Sequence, residues 1–504
     1  MVVSVSDYNY FELTHPGFFL DLSGFYDGPE GLLIEQEAID GALSSMASLV
    51  DGDIANPSEG RMVGHYWLRD PERAPDAEIS AAIVESWKDL ENFMTKVGDR
   101  FRHVVWAGTG GSSLGPQLIA RAHRFQPGGR RIDFLDNCDP ETYERVLAHV
   151  ELSDTLFVIV SKSGRTSETM SALSFIEAEC VKRGIDLSER IVALTTPNSA
   201  LHQKAQNERW LATFPIWDWV GGRTSIFSSV GLLPLMLLGG DHRAFLEGAR
   251  LVDTWTYQTP LEENPALTLA ASLSDSVDCG WPNLAILPYN DRLELLGRYL
   301  QQLIMESIGK EVAIDGESDG KGLTVYGNKG TTDQHAFVQQ LREGSDDAVV
   351  GFVEVLCDDV TNFHSQLSVD TSDSLSAFLA GTRKALMDVD RYCFTLTLER
   401  LDEASLGGLI AFWERVVGFL GALWELNPYD QPGVEAGKIA AKDVLRLQAH
   451  LLTAIESGDA LTAHGWAMKL EEDEALCFHI LRRLAYTGRV SCEGTGKERV
   501  FGSV

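Results

Sequence analysis

Short apolar runs rich in β-branched residues recur along the chain and alternate with stretches whose apolar positions follow helical spacing. Phe101–Ala107 reads as a buried strand and Ile132–Leu135, Leu156–Val160 and Ile191–Thr195 as further strands, with helices between them. Repeated βα units require a parallel sheet, and Ala81–Val97 is the helix that leads into it. Phe227–Leu238 reads as an apolar helix with Ser228 and Ser229 at its cap. After the charged, Pro-containing segment Asp253–Pro265 a second set begins, with strands at Leu284–Pro288, Val349–Leu356 and Tyr392–Leu398 and a helix over Leu293–Ser307. Helices at Leu406–Trp424 and Lys438–Ile455 follow, then a tail from Glu471 with a short acidic run, a helix and an open Gly/Ser end. Residues 1–60 are mixed in character, with a helix at Asp40–Leu49 and a connection at Asp51–Gly60, and no chemistry is legible in them. Two tandem α/β sheet domains are the simplest architecture.

Composition narrows the setting. A chain of 504 residues has room for two to four domains. A formal net charge of -32 speaks against a nucleic-acid partner, so an anionic small substrate needs a local basic pocket in an acidic protein. Seven cysteines, odd in number and scattered, with no C-x-x-C spacing, indicate neither a disulfide framework nor a zinc ribbon and suit a reducing cytoplasm. No basic-then-apolar leader is present at the N-terminus, and no apolar segment reaches the ~18 residues of a spanning helix, so no membrane partner is expected.

Two strand–turn–helix junctions carry candidate chemistry. At Ser161-Lys162-Ser163-Gly164-Arg165-Thr166-Ser167, hydroxyls, backbone N–H groups and a helix N-terminus converge, which suits a phosphate; an ordinary capped turn is the alternative. At Gly108-Thr109-Gly110-Gly111-Ser112-Ser113 the glycines allow close backbone approach to a ligand. Asp133 and Asp136 lie where a ribose-binding acid of a dinucleotide site would fall, but Ser113 stands where that fingerprint needs Gly or Ala. Two phosphate-friendly turns on neighbouring strands fit one sugar phosphate better.

Three further stretches complete the candidates. Gln302 and Glu306 stand four apart on one helical face, and a carboxylate shielded by Leu303, Ile304 and Met305 suits a general base, although a solvent-facing Glu is the commoner case. His335 follows a loop of Gly, Asn and Thr; it is either a structural hydrogen-bonder or a proton-exchanging group. Lys438 follows the Pro/Gly turn Gln431-Pro432-Gly433 and by itself passes for a surface lysine.

Taken together, Gly108–Gly115, Ser161–Thr169, Gly221-Gly222-Arg223, Gln302–Lys310, Gly330–Phe337 and Gln431–Lys438 resemble the glucose-6-phosphate isomerase (phosphoglucose isomerase) family, in the family's order over about residues 100–445. The resemblance implies an α/β fold of two tandem sugar-isomerase (SIS) domains, each a mainly parallel sheet flanked by helices. The expected division is an N-terminal helical or irregular segment over 1–95 packing on the second domain, a first SIS domain over 96–245, a second over 265–430, and a helical C-terminal arm over 431–504.

The implied activity is reversible isomerisation of D-glucose 6-phosphate and D-fructose 6-phosphate, a step of glycolysis and gluconeogenesis. By the same resemblance Ser161, Lys162, Ser163 and Thr166 cradle the phosphate, and Gly111, Ser112, Gln302 and Gln431 complete substrate binding. Glu306 is the base at C2 and C1, His335 and Lys438 serve ring opening, and Arg223 faces the cis-enediolate. No metal or organic cofactor is implied, and His335 is expected to come from the partner in a homodimer.

Three positions depart from the family pattern. Thr224 stands for an aromatic residue, Ile308 for Asn and Pro432 for Trp, which touches substrate preference more than reaction class. Two other readings stay open: a sugar-phosphate-binding regulator, against which the set Glu306, His335, Lys438 and Arg223 speaks, and isomerisation of another phosphosugar such as mannose 6-phosphate.

Overall fold

The computed structural model describes residues 2–4, 10–25, 33–124, 128–314, 316, 320–357 and 370–504. The chain divides into two compact units, Met1–Asp430 and Gln431–Val504. In the first unit the hairpin β1 (Tyr10–Leu13) and β2 (Phe18–Gly24) precedes helices α1 (Gln36–Asp51) and α2 (Ala77–Val97). Asp76 caps α2 by accepting from the Ile79 amide, which starts the helix one turn before the apolar pattern does.

The first βα set forms a five-stranded parallel sheet from β3 (His103–Ala107), β4 (Arg131–Leu135), β5 (Thr155–Val160), β6 (Ile191–Thr195) and β7 (Ala212–Pro215). Its spatial order is β4-β3-β5-β6-β7, with His103 level with both Arg131 and Thr155. After β3 the chain steps to β4 on one side and then crosses to β5 on the other. The crevice between the carboxyl ends of β3 and β5 is therefore a topological switch point, where open α/β sheets take their ligands. Every residue of β5 is buried, as a central strand covered on both faces requires. Helices α3 (Leu114–Ala122) and α4 (Ser167–Lys182) start from that crevice.

The second sheet holds β8 (Asn283–Pro288), β9 (Thr324–Tyr326), β10 (Ala348–Cys357) and β11 (Cys393–Arg400) in parallel, in the order β9-β8-β10-β11. The N-terminal hairpin then adds β2 antiparallel to β11, with Leu20 level with Leu396, and β1 outside it. A helical or irregular start was expected, and the hairpin corrects it. Its alternating residues, with Phe18, Leu20 and Leu22 buried, fill the face of a sheet that lies far along the chain, a pairing local pattern does not reveal.

Between the sheets run α5 (Ser229–Leu237), capped by Ser228 alone, and α6 (His242–Thr256). Ser229 instead donates to the Pro215 carbonyl (3.1 Å). The expected helix Leu293–Ser307 is broken: α7 (Leu296–Leu300) passes into a π-helical turn at Gln301–Met305 before Glu306–Ile308 closes it. Helix α8 (Glu403–Leu423) crosses α6 at glycine contacts. A Cβ on Gly248 would lie 1.9 Å from the Ala404 carbonyl oxygen, and one on Gly407 2.0 Å from that of Phe245.

Helix α8 is long and apolar enough to cross a membrane, which corrects the expectation that no segment is; 89% of its most apolar window is buried inside the protein. It also carries Glu414 and Arg415 into a buried ion cluster. Arg69 pairs with Asp253 and Glu414, Arg415 Nη2 donates to Asp253 Oδ1 (3.0 Å), and the Arg415 guanidinium lies 4.0 Å from the Tyr66 ring centroid. Burial pushes the Glu414 carboxyl up to about 7, against the pull of Arg69. Removing one partner of such a cluster leaves an uncompensated buried charge, so the set holds α6, α8 and the His65–Leu68 turn together.

The second unit consists of α9 (Pro432–Ile455), α10 (Ala463–Leu470), α11 (Glu474–Tyr486) and a small antiparallel sheet. The Gly/Ser end is not open. Val500–Gly502 pairs with Ser491–Glu493 and with Leu461–Thr462, buries Phe501, and accepts a hydrogen bond from Trp466 at the Phe501 carbonyl (3.0 Å).

Because an added methyl at Gly248 meets backbone and not a movable side chain, Gly248→Ala is expected to lower stability by about 1–3 kcal/mol, read as a fall in thermal midpoint. An unchanged midpoint would contradict the close α6–α8 crossing.

Candidate active site

The turn after β5 is built from its own hydroxyls. Gly164 adopts φ +65°, and a Cβ there would stand 2.7 Å from the Leu201 amide nitrogen, so the tight turn excludes larger residues. Ser161 is buried, and its Oγ meets Thr166 Oγ1 at 2.8 Å. Thr166 occupies the N-cap of α4, yet its side chain accepts nothing from the first turn. The first-turn N–H groups of α4 therefore have no side-chain cap from Thr166. Ser163 is exposed at the rim.

Lys162 departs from the simple picture of a cation aimed at an anion. Its Nζ donates to the carbonyls of Asp218 and Val220, both at 2.8 Å, and so ties the turn to the loop that leads into Gly221-Gly222-Arg223. One donor of the ammonium is left over. Burial, with the Arg61 charge, lowers its pKa to about 8.

The glycine turn after β3 abuts that same loop. A Cβ on Gly111 would lie 2.0 Å from the Gly222 carbonyl oxygen, and one on Gly110 3.2 Å from Gln302 Nε2. Gly111, Ser112, Gly222 and Gln302 are thereby brought together from three segments. Asp136, the candidate ribose acid of a dinucleotide site, accepts from Gln117 (2.7 Å) and faces Arg298 (3.7 Å).

Arg223 is the centre of the polar set. It is 5% exposed. Its Nε donates to Ser307 Oγ (2.7 Å), its Nη2 to the carbonyls of Pro428 (2.6 Å) and Asp430 (2.8 Å), and its Nη1 stands 3.7 Å from Glu306 Oε1. Burial lowers the guanidinium pKa and the carboxylates of Glu306 and Asp430 oppose that shift. Glu306 follows the π-helical turn, an irregularity often found at functional sites, which turns Glu306 and Ser307 together toward Arg223. Leu303 and Ile304 are buried beside it, whereas Met305 is 39% exposed and shields less than expected.

Sequence reasoning assigned no role to Lys310 or Asp430, though both lie in the quoted motifs. Lys310 Nζ donates to the Asp430 carbonyl (2.6 Å) and to its Oδ1 (2.8 Å). Burial pushes the Asp430 carboxyl up, but hydrogen bonds from Lys310 and Ser58 hold it below its usual range. Their sequence signal was only proximity to Glu306 and Gln431.

Three predicted residues lie on other elements. His335 ends a 3₁₀ turn, Thr332–His335, whose neighbours are anchored: buried Asp333 accepts from the Asn328 and Lys329 amides, and Gln334 donates to Tyr289 (3.1 Å). The His335 side chain is exposed and makes no hydrogen bond or ion pair with another described residue. Gln431 and Lys438 belong to the second unit, at the N-cap and in the second turn of α9, where Lys438 is exposed and pairs with Glu435 (3.5 Å).

A hydroxyl-rich turn at a switch point, together with a buried Arg223 that stands 3.7 Å from Glu306, is the kind of arrangement in which an α/β enzyme takes a small substrate. A phosphoglucose isomerase family model matches residues 32–463. The chain is 46% identical over 489 residues to a glucose-6-phosphate isomerase of Synechococcus sp. (strain JA-3-3Ab), covering 94% of this chain and 92% of that protein. It is 43% identical to one from Geobacter sp. (strain M21), covering 94% and 93%. It is similar in structure to a glucose-6-phosphate isomerase from Chlamydia trachomatis D/UW-3/Cx, with a TM-score of 0.80 and 27% identity over 89% of this chain and 93% of that one. The chain belongs to the phosphoglucose isomerase family and is an aldose–ketose isomerase.

Lys162 carries its charge below about pH 8 and loses it above. The affinity for inorganic phosphate, measured by calorimetry, is therefore expected to fall as pH rises through that value, and Lys162→Met should remove the step. An affinity that stays level across this range would contradict a charged Lys162 at the anion turn.

Proposed function

We propose that the protein interconverts D-glucose 6-phosphate and D-fructose 6-phosphate through a cis-enediolate, with Glu306 as the single base. The observation that carries this reading is the Glu306 carboxylate 3.7 Å from the Arg223 guanidinium in a mostly buried setting. Phosphate binds at the turn of Ser161, Lys162, Ser163 and Thr166, with Ser161 acting chiefly by holding Thr166 in place. Gly111, Ser112, Gln302 and Gln431 complete the substrate site. Binding energy from the phosphate fixes the sugar so that C1 and C2 meet the carboxylate.

Glu306 takes the proton from C2 as electrons move toward the carbonyl oxygen at C1. The resulting enediolate is anionic, and a guanidinium whose other donors are already engaged needs no rearrangement to face it. A proton passes from the C2 hydroxyl to the C1 oxygen, and the protonated Glu306 returns its own proton to C1, which leaves a hydroxyl at C1 and the carbonyl at C2. His335 and Lys438 move protons at the ring oxygen and the C1 hydroxyl during ring opening. The seven unpaired cysteines support work in a reducing cytoplasm.

The active form is a homodimer in which His335 reaches the partner's site. The anchored Thr332–His335 turn with an outward, unengaged imidazole supports this arrangement. The proposed regions remain a segment 1–95, two SIS domains over 96–245 and 265–430, and an arm over 431–504.

Glu306→Gln keeps shape and hydrogen bonding but not basicity. Its kcat in a coupled fructose 6-phosphate assay is expected to fall by about three orders of magnitude, with phosphate affinity retained; near-normal turnover would remove Glu306 as the base. Mixing Glu306→Gln with His335→Ala under conditions of subunit exchange should recover up to about a quarter of normal activity, since half the dimers are mixed and each has one intact site. No recovery would contradict a shared site.

A further inference from the structure

The Asp51–Gly60 connection, in which no chemistry was legible, is hydrogen-bonded to the loop whose carbonyls accept from Arg223. Asn56 and Arg61 form a two-residue bridge that closes the connection into a clip. Asn56 is fully buried. Its Nδ2 donates to the Tyr429 carbonyl (3.2 Å), and its Oδ1 accepts from Asn427 Nδ2 (3.0 Å) and Ser58 Oγ (2.9 Å). Ser58 Oγ also lies 2.6 Å from Asp430 Oδ2, and Arg61 Nη2 reaches the Tyr429 carbonyl at 3.4 Å. The contacted segment Asn427–Asp430 contains the two carbonyls, Pro428 and Asp430, that receive Arg223 Nη2. A buried amide that spends its donor and acceptor on one four-residue loop fixes that loop in a single arrangement. The Arg61 charge acts on both Lys162 and Arg223, so the clip stands near the anion turn as well as the cation.

We infer that Asn56 is a positioning residue for the isomerisation: by holding Asn427–Asp430 it sets the carbonyls that aim the Arg223 guanidinium at the developing enediolate. The inference rests on the role proposed for Arg223. Asn56 touches neither the phosphate turn nor Glu306, so its loss acts on the transition state and leaves substrate anchoring intact.

In Asn56→Ala the carbonyl of Tyr429 keeps only Arg61 and the side-chain amide of Asn427 keeps only Ser58, so the carbonyls that accept from Nη2 of Arg223 are held less firmly. We expect kcat about tenfold lower with KM within about twofold of normal, the pattern of an interaction realised in the transition state. Inorganic phosphate should bind as tightly as before. A five-carbon aldonic acid 5-phosphate, whose carboxylate stands where the enediolate oxygens form, should bind about tenfold more weakly. In an Arg223→Lys background, whose shorter cation cannot use both carbonyls, adding Asn56→Ala should cost less than about threefold.

Several outcomes separate the possibilities. Full kcat in Asn56→Ala, or full multiplicative loss in the double variant, overturns the role of Asn56 while Arg223 keeps its own. Normal turnover in Arg223→Lys alone overturns the reading of Arg223 on which the inference rests. If Asn56→Ala does not fold, Ser58→Ala at the exposed end of the clip decides. A kcat at least about threefold lower at constant KM supports the clip, and a normal kcat overturns it.

Discussion

A guanidinium almost withdrawn from water stays charged and in place only when protein groups replace its hydration. Arg223 meets that condition through Ser307 Oγ and two backbone carbonyls, with Glu306 at 3.7 Å. The rest of the site is arranged around this requirement. The π-helical turn delivers Ser307 and Glu306 together, the glycine at 111 lets the first-sheet turn press against the Gly222 carbonyl, and Lys162 ties the phosphate turn to the loop just before Arg223. Electrostatic stabilisation of this kind is effective because the dipoles are set before charge develops.

The fold separates the proposed anchor from the proposed chemistry. The Ser161–Thr166 turn, the proposed phosphate anchor, follows the carboxyl end of β5, a strand with every residue buried, and so sits on a rigid element. The proposed base, Glu306, and the carbonyls that accept from Arg223 come from the second half of the first unit. In a protein of net charge -32, Lys162, Arg223, Lys310 and a helix N-terminus thus supply local positive charge. The formal charge of the whole chain does not describe the field within the crevice.

What the sequence made legible was local. Strands of four or more buried residues and the helices after them stood out because their periodicity is written in consecutive residues, as at Leu156–Val160. The β1–β2 hairpin did not, because its register is decided by β11, more than three hundred residues away. The π-helical turn was invisible for another reason: 3.6-residue spacing over Leu293–Ser307 is compatible with one inserted residue. The motifs located Glu306 and Arg223. They did not reveal that Lys162 spends two donors on carbonyls, or that Asn56, in an unremarkable polar connection, closes on Asn427–Asp430. Such bonds join residues far apart in sequence and leave no periodic trace.

The Glu306 side chain is 18% exposed, so on the proposed mechanism the proton it holds meets water part of the time. This permits a direct test of one carboxylate shuttling one proton between C2 and C1. With glucose 6-phosphate bearing tritium at C2, the label is expected both at C1 of fructose 6-phosphate and in the solvent from the first turnovers. Complete retention at C1, with no label released to water under any condition, would contradict a carboxylate shuttle and point to direct transfer of hydride between the carbons.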